Sequence, residues 1–237
     1  MPLVYSTPWR QIRETGPAIL SGTRASQDAF SGGIVARMNP APRIEGALNL
    51  PEDPRFVLVA NHYQRKGMWI AHPASAITQA VAARFGHEDP VVHWIVTANW
   101  PPWRIGPWKF PSPGDLLLPR VAHALWCYPV AIAGTNPGYT ARSLRRLLRD
   151  LPGLRRPLGL FPEGVAGVAG RLSPPLPGVD RLIRLLAKAG WAFVPVGIGE
   201  TDRLVIRFGG LIPAGVAAAA GEPAGMLMER IGELTTA

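Results

Sequence analysis

Hydrophobic positions along the chain fall into two periods. Phe56-Val57-Leu58-Val59-Ala60 is an unbroken apolar run with no polar alternate. Such a run predicts a strand covered on both faces. Residues 140–151, TARSLRRLLRDL, follow the other period, with Leu144, Leu147, Leu148 and Leu151 on one stripe and arginines elsewhere. That pattern predicts an amphipathic helix. The same reading predicts strands at Val91 to Thr97, Tyr128 to Ala133, Leu158 to Phe161, Phe193 to Ile198 and Leu204 to Phe208. It predicts helices over 68–85, Leu116 to Trp126, Gly178 to Ala189 and 223–235. Before residue 44 the signals are weak, and predict a short helical arm broken near Gly16-Pro17 and Gly32-Gly33.

Strands that alternate with helices predict an α/β fold, a mixed, mainly parallel sheet flanked by helices. The expected organisation is an N-terminal helical arm, residues 1–43, and an α/β domain, residues 44–237. Sites in such sheets gather at the carboxyl ends of strands. Two segments hold that position: Asn61-His62 after one expected strand and Pro162-Glu163-Gly164 after another.

Composition narrows the classes. Hydrophobic residues make up 47% of the 237 and charged residues 17%, which supports a sizeable core and excludes global disorder. Cys127 is the single cysteine; it excludes an intramolecular disulfide, and a buried, inert thiol in a reducing compartment is expected. His72, His87, His93 and His123 lack metal-ligand spacing, so no metal is expected. The start has no basic segment leading into an apolar one, so no secretory leader is expected. The apolar stretches at 124–134 and 189–199 are broken by prolines and fall short of the roughly 18 residues a membrane span needs. A formal net charge of +9, mostly arginine spread through the chain, suits anionic partners or a solvated positive surface.

His62 sits where a buried strand gives way to a helix. An imidazole there suits a general base, or merely caps or packs a helix start. Glu163, in a rigid Pro-x-Gly turn, suits binding a substrate hydroxyl or orienting a base; an ordinary solvated turn is the alternative. The words that hold these residues are RIEGALNLPEDPRFVLVANHYQRKGMW, Gly159 to Gly164 and Val194-Pro195-Val196-Gly197. In that order they resemble three blocks of the glycerol-phosphate and lysophospholipid acyltransferase superfamily, over roughly 44–213. The resemblance implies acyl transfer from a thioester, on coenzyme A or acyl carrier protein, to a hydroxyl or amine. It implies His62 as base, with Glu163 a further catalytic candidate and Asn61, Phe161, Pro162 and Gly164 as substrate contacts; Arg65 and Lys66 are candidate phosphate contacts in compensation for missing family groups, or helix-start surface charges. No cofactor is implied beyond that co-substrate.

Departures from the family pattern are specific. The superfamily expects His-x-x-x-x-Asp, and the fifth residue after His62 is Gly67. Asp115 and Glu163 are candidates for the missing carboxylate. Where the family continues Glu-Gly with Thr-Arg, this chain has Val165-Ala166; Pro129 to Gly134 also lacks the usual arginine. The expected acceptor is therefore not a standard glycerol phosphate. A catalytically weak relative that binds lipid or acyl carrier is the second reading. Gly67 marks either a lost dyad partner or a backbone requirement.

Residues 94–110 hold four of the eight tryptophans, Trp94, Trp100, Trp103 and Trp108, with Arg104 and Lys109. Trp94 is expected in the core. The others are expected in a proline-rich loop, facing either a membrane surface or inward over an acyl pocket. A peripheral place on the cytoplasmic face of the inner membrane follows as an expectation. Tryptophan beside arginine also suits single-stranded nucleic acid, but no basic stripe or known module supports it, so no nucleic-acid partner is expected.

Overall fold

The structure is a computed structural model that describes residues 4–99, 103–106, 108–110, 112, 114–132, 135–164 and 172–236. In chain order the helices are α1 (Trp9–Ser21), α2 (Gln27–Val35), α3 (Ala71–Phe85), α4 (Gly114–Ala124), α5 (Pro137–Asp150), α6 (Val179–Lys188), α7 (Ala214–Ala219) and α8 (Pro223–Thr236). The strands are β1 (Arg43–Glu45), β2 (Phe56–Ala60), β3 (His93–Thr97), β4 (Trp103–Ile105), β5 (Trp108–Phe110), β6 (Tyr128–Val130), β7 (Leu158–Leu160), β8 (Ala192–Glu200) and β9 (Leu204–Phe208).

Seven strands form one sheet in the order β1-β9-β8-β2-β7-β3-β6. Only the β8–β9 pair is antiparallel. The sheet is mixed, mainly parallel and flanked by helices, as the alternation predicts. β2 lies in its middle, and its pleat explains the unbroken apolar run. Phe56, Leu58 and Ala60 enter one core with Ile34, Met38, Ile77 and Val81. Val57 and Val59 enter the other with Leu147, Ile183, Leu186 and Ile231. Each position of β2 is buried, so truncating Leu58 to alanine costs about 2–5 kcal/mol. The α5 stripe also packs inward, with Leu147 of the helix and Leu151 just beyond its end in the second core. Its start is fixed by Asn136, whose side chain accepts from Tyr139 N–H at 3.0 Å, and by Pro137 in the first turn.

Three local expectations differ from the structure. α1 runs through Gly16-Pro17 and ends instead at Gly22. Pro17 removes a bond to the carbonyl of Arg13, and both residues lie on the exposed side of the helix, where water replaces the bond. α2 likewise runs through Gly32-Gly33. A side chain at Gly33 would collide with Gln11, so this glycine lets α2 approach α1 closely, whereas one at Gly32 would meet Gln79 only at ordinary contact distance. Between Trp103 and Phe110 there is a hairpin, β4 with β5, rather than a loop. None of the six paired positions is a proline, so each can take part in the ladder. Tyr5, Ile34 and Met38 share the core of the α/β sheet, which ties residues 4–43 to it.

Candidate active site

The register of the central strands places the site. β2 pairs in parallel with β8 through Ala60↔Val196 and with β7 through Val59↔Leu160. The chain then leaves the sheet, and backbone groups at the strand ends lose their ladder partners. Two side chains extend the ladder in their place. On the β8 side, the Asn61 carboxamide donates to Ile198 C=O at 2.9 Å and accepts from Ile198 N–H at 2.7 Å. A carboxamide has the donor and acceptor of a peptide group, which is why asparagine fits here. On the β7 side, Glu163 Oε1 accepts from His62 N–H at 2.8 Å, and Oε2 accepts from Ser173 N–H at 2.7 Å.

His62 therefore leaves the sheet from a backbone held on both flanks. Its ring meets Phe161 edge-on, centroids 5.5 Å apart. Phe161 in turn stacks on Trp94 at 5.0 Å and 8°. Gly159 makes room for that stack, because a side chain there would collide with the Trp94 ring. Trp94 donates its indole N–H to Thr78 at 3.1 Å and is core, as expected. Burial lowers the pKa of His62 below the ordinary histidine value. Burial thus favours the neutral imidazole, the form a base needs. Its Nδ1 is buried and has no hydrogen-bond partner among the described residues.

Glu163 is 2% exposed. Its pKa is raised by burial, against which the Ser173 and His62 N–H bonds act. The carboxylate reaches the backbone of His62, and no bond to its imidazole is present among the described residues. Asp115 lies exposed on the first turn of α4, with no bond to His62 there.

The remaining candidates are placed as follows. Arg65 pairs with Glu200 through both ends of its guanidinium, Nε at 2.7 Å and the second bond through Nη2. Tyr63 donates to the same carboxylate at 3.0 Å. Arg65 is therefore committed to β8 within the fold, where sequence suggested a substrate contact. The Asn61 carboxamide is likewise used in the sheet and is buried. Lys66 is exposed. Pro162 is buried and accepts from Leu176 N–H through its carbonyl; Gly164 closes the turn by donating to Phe161 C=O. Ser173, Glu200 and Tyr63 carry no motif signal in the sequence; their roles come from chain segments far apart in number.

Gly67 occupies the third position of a tight turn closed by Arg65 N–H to Met68 C=O at 3.1 Å and Met68 N–H to Arg65 C=O at 2.9 Å. Its φ is +83°, a left-handed conformation that glycine adopts without strain. A side chain there would meet Val4 at 3.1 Å.

Trp108 is 70% exposed and Phe110 46%. Trp100, the side chains of Trp103, Arg104 and Lys109, and the loop Val165-Ala166 onward lie outside the described residues, as do Ala133-Gly134. Cys127 donates its thiol to Leu125 C=O at 3.3 Å, and burial pushes its pKa up to about 12. Cys127 is half-buried rather than fully buried, and a thiol so shifted is little ionised at neutral pH.

No protein-family model matches this chain, and no curated protein matches it in sequence. Among solved structures, its fold is similar to that of the 1-acyl-sn-glycerophosphate (LPA) acyltransferase PlsC from Thermotoga maritima. The TM-score is 0.58 at 15% identity, covering 95% of this chain and 83% of that one. The mixed seven-stranded sheet and its flanking helices thus have the architecture of a PlsC-like acyltransferase.

Proposed function

We propose that this protein moves a fatty-acyl group from a thioester, on coenzyme A or acyl carrier protein, to a hydroxyl or amine acceptor, with His62 as general base. One observation carries the reading. An imidazole whose burial favours the neutral form stands at the carboxyl end of the central strand, braced through its own backbone by a buried carboxylate from the neighbouring strand end. The PlsC-like architecture agrees with it.

In the proposed reaction, His62 takes the acceptor proton through Nε2, the ring nitrogen other than the buried Nδ1. The acceptor oxygen or nitrogen attacks the thioester carbonyl. The tetrahedral intermediate then collapses with cleavage of the C–S bond. The imidazolium returns its proton to the thiolate, leaving ester or amide, free thiol and neutral His62. Glu163 acts as a positioning residue, fixing the backbone from which the imidazole projects. Asn61 does the same from the β8 side. The missing arginines beside Glu163 and after Pro129 favour a sugar, polyol, amine or apolar alcohol over a glycerol phosphate.

Contact with a membrane surface fits a long-chain substrate. Trp108, Phe110, Leu116 and Leu117 are exposed on the β4–β5 hairpin and the start of α4. Aromatic and leucine side chains so placed suit the lipid interface. No helix among the described residues is long and apolar enough to cross a membrane. The cytoplasmic face of the inner membrane is the proposed location.

A second reading rests on the unpartnered Nδ1 and on Gly67. In serine-type triads, loss of the orienting carboxylate costs about four powers of ten. A relative that binds lipid or acyl carrier without turnover would show this same site. Thioester consumption by the purified protein against a panel of acceptors separates the two, with His62→Ala as control. Turnover abolished by His62→Ala supports the transferase. Acyl-carrier or lipid binding without turnover supports the second reading.

A further inference from the structure

The amino end of the sheet, opposite His62, holds a cavity of about 390 Å³. His93 opens β3 and Tyr128 opens β6, and both line it. Parallel strands put their carboxyl ends, and His62, on the other side.

The cavity is built with an unusual backbone. α4 ends with Trp126 N–H donating to His123 C=O at 3.1 Å and Cys127 N–H to Ala122 C=O at 2.7 Å. This is the paired bonding of a helix stop that usually places glycine in the left-handed position. Here that position is Trp126, at φ +61°, the one non-glycine residue with positive φ among those described. A bulky residue is strained there. Its indole forms a wall of the cavity.

Arg24 lies over that indole, its guanidinium carbon 4.2 Å from the ring centroid. It donates to His123 C=O, and no other hydrogen bond and no carboxylate partner of Arg24 is present among the described residues. Burial lowers its pKa, and so does Arg146 nearby. A partly buried guanidinium without a counter-ion is costly unless an anion meets it. Arg146 also lines the cavity. Asp150, which also lines the cavity, is 3.5 Å from Arg146 and is shared with Arg149 and the Tyr128 hydroxyl, so its charge is already met. His93 and His123 add two imidazoles, and Tyr139, Pro129 and Leu154 add apolar surface.

We infer that this cavity is a second ligand site, which takes a small organic anion with an aromatic or apolar body, its phosphate or carboxylate held by Arg24 and Arg146. The volume lies within the range of small-molecule pockets. The guanidinium fork suits phosphate and carboxylate oxygens. The Trp126 wall, set there against its backbone preference, gives the body of the ligand a flat partner.

Calorimetric titration of the full chain with phenyl phosphate, benzoate and neutral benzyl alcohol tests the site. Saturable binding of at least one of the two anions is expected, with benzyl alcohol bound far more weakly. Phenyl phosphate over benzoate would identify a phosphate site, and the reverse order a carboxylate site. Arg146→Glu, on a half-exposed helix position, is expected to weaken anion binding by about tenfold or more, the cost of replacing an attractive charge by a repulsive one. Trp126→Gly restores the usual cap residue and removes the wall, and is expected to fold and to weaken binding. Absence of saturable anion binding would overturn the inference. So would equal binding by Arg146→Glu with an unchanged melting temperature, or benzyl alcohol bound as tightly as the anions.

Discussion

Gly67→Asp restores the family spacing from His62, so it separates a lost dyad partner from a backbone requirement. Gly67 has φ +83° in the turn from Arg65 to Met68. For a residue with a Cβ, the left-handed conformation costs about 1–2 kcal/mol, with aspartate toward the lower end. The new Cβ would lie 3.1 and 3.2 Å from the Val4 methyls and 3.4 Å from its Cβ. These contacts are tight, but Val4 is 64% exposed and can move. The nearest atoms to that Cβ belong to Val4, so the carboxylate starts out toward the N-terminal segment. The expected loss is therefore about 1–2 kcal/mol, which for a domain of this size lowers the melting temperature by about 2–8 °C. No gain in turnover is expected. Urea unfolding gives the stability change as a shifted midpoint at constant slope, and thioester consumption gives the activity. Gly67→Asn should lose less stability than Gly67→Val, because asparagine tolerates positive φ and valine does not. A Gly67→Asp protein as stable as the parent, with clearly raised turnover, would refute this reasoning and show that His62 lacks a carboxylate it can use.

Burial lowers the His62 pKa, so the acid limb of kcat/KM should fall as pH drops through a value below about 6.5; a limb at or above the ordinary value would remove His62 as the base. Glu163→Gln keeps one acceptor but turns an amide N–H toward His62 N–H or Ser173 N–H, so unfolding free energy should fall by about 1–3 kcal/mol; urea midpoints unchanged from the parent would show that the carboxylate does not hold these groups. Trp108→Ala with Leu116→Ala should bind anionic vesicles about tenfold more weakly than the parent, from apolar area kept out of the bilayer. Binding by the parent should weaken with salt, since surface charges are screened over about 10 Å at 0.1 M; sedimentation showing equal binding by the variant would move membrane contact elsewhere.

Much of the frame was legible in the chain. The apolar run Phe56 to Ala60 specified a strand buried on both faces, because side chains alternate across a strand and only a covered sheet tolerates apolar residues on both sides. The leucine stripe of 140–151 specified a helix by the same kind of local geometry. Position after a strand end also singled out His62 and Glu163. Local readings failed where a breaker residue met a context that absorbed it. Pro17 faces water, and Gly33 serves helix packing. Trp103 to Phe110 forms a hairpin whose pairing depends on which residues oppose each other.

Tertiary structure alone decided what the polar residues do. Asn61 and Glu163 look alike in sequence, as polar groups at strand ends, and Arg65 reads as one more charge beyond them. Their roles follow from Ile198, Glu200 and Ser173, which lie 137, 135 and 10 residues away along the chain. A hydrogen bond is short-ranged and directional, so its partner is set by the register of neighbouring strands and not by spacing in the sequence. The same holds for Trp126 and Arg24, which meet over a cavity that no periodicity marks. Periodicity determined which elements form; sheet order and strand register decided which side chains those elements bring within bonding distance.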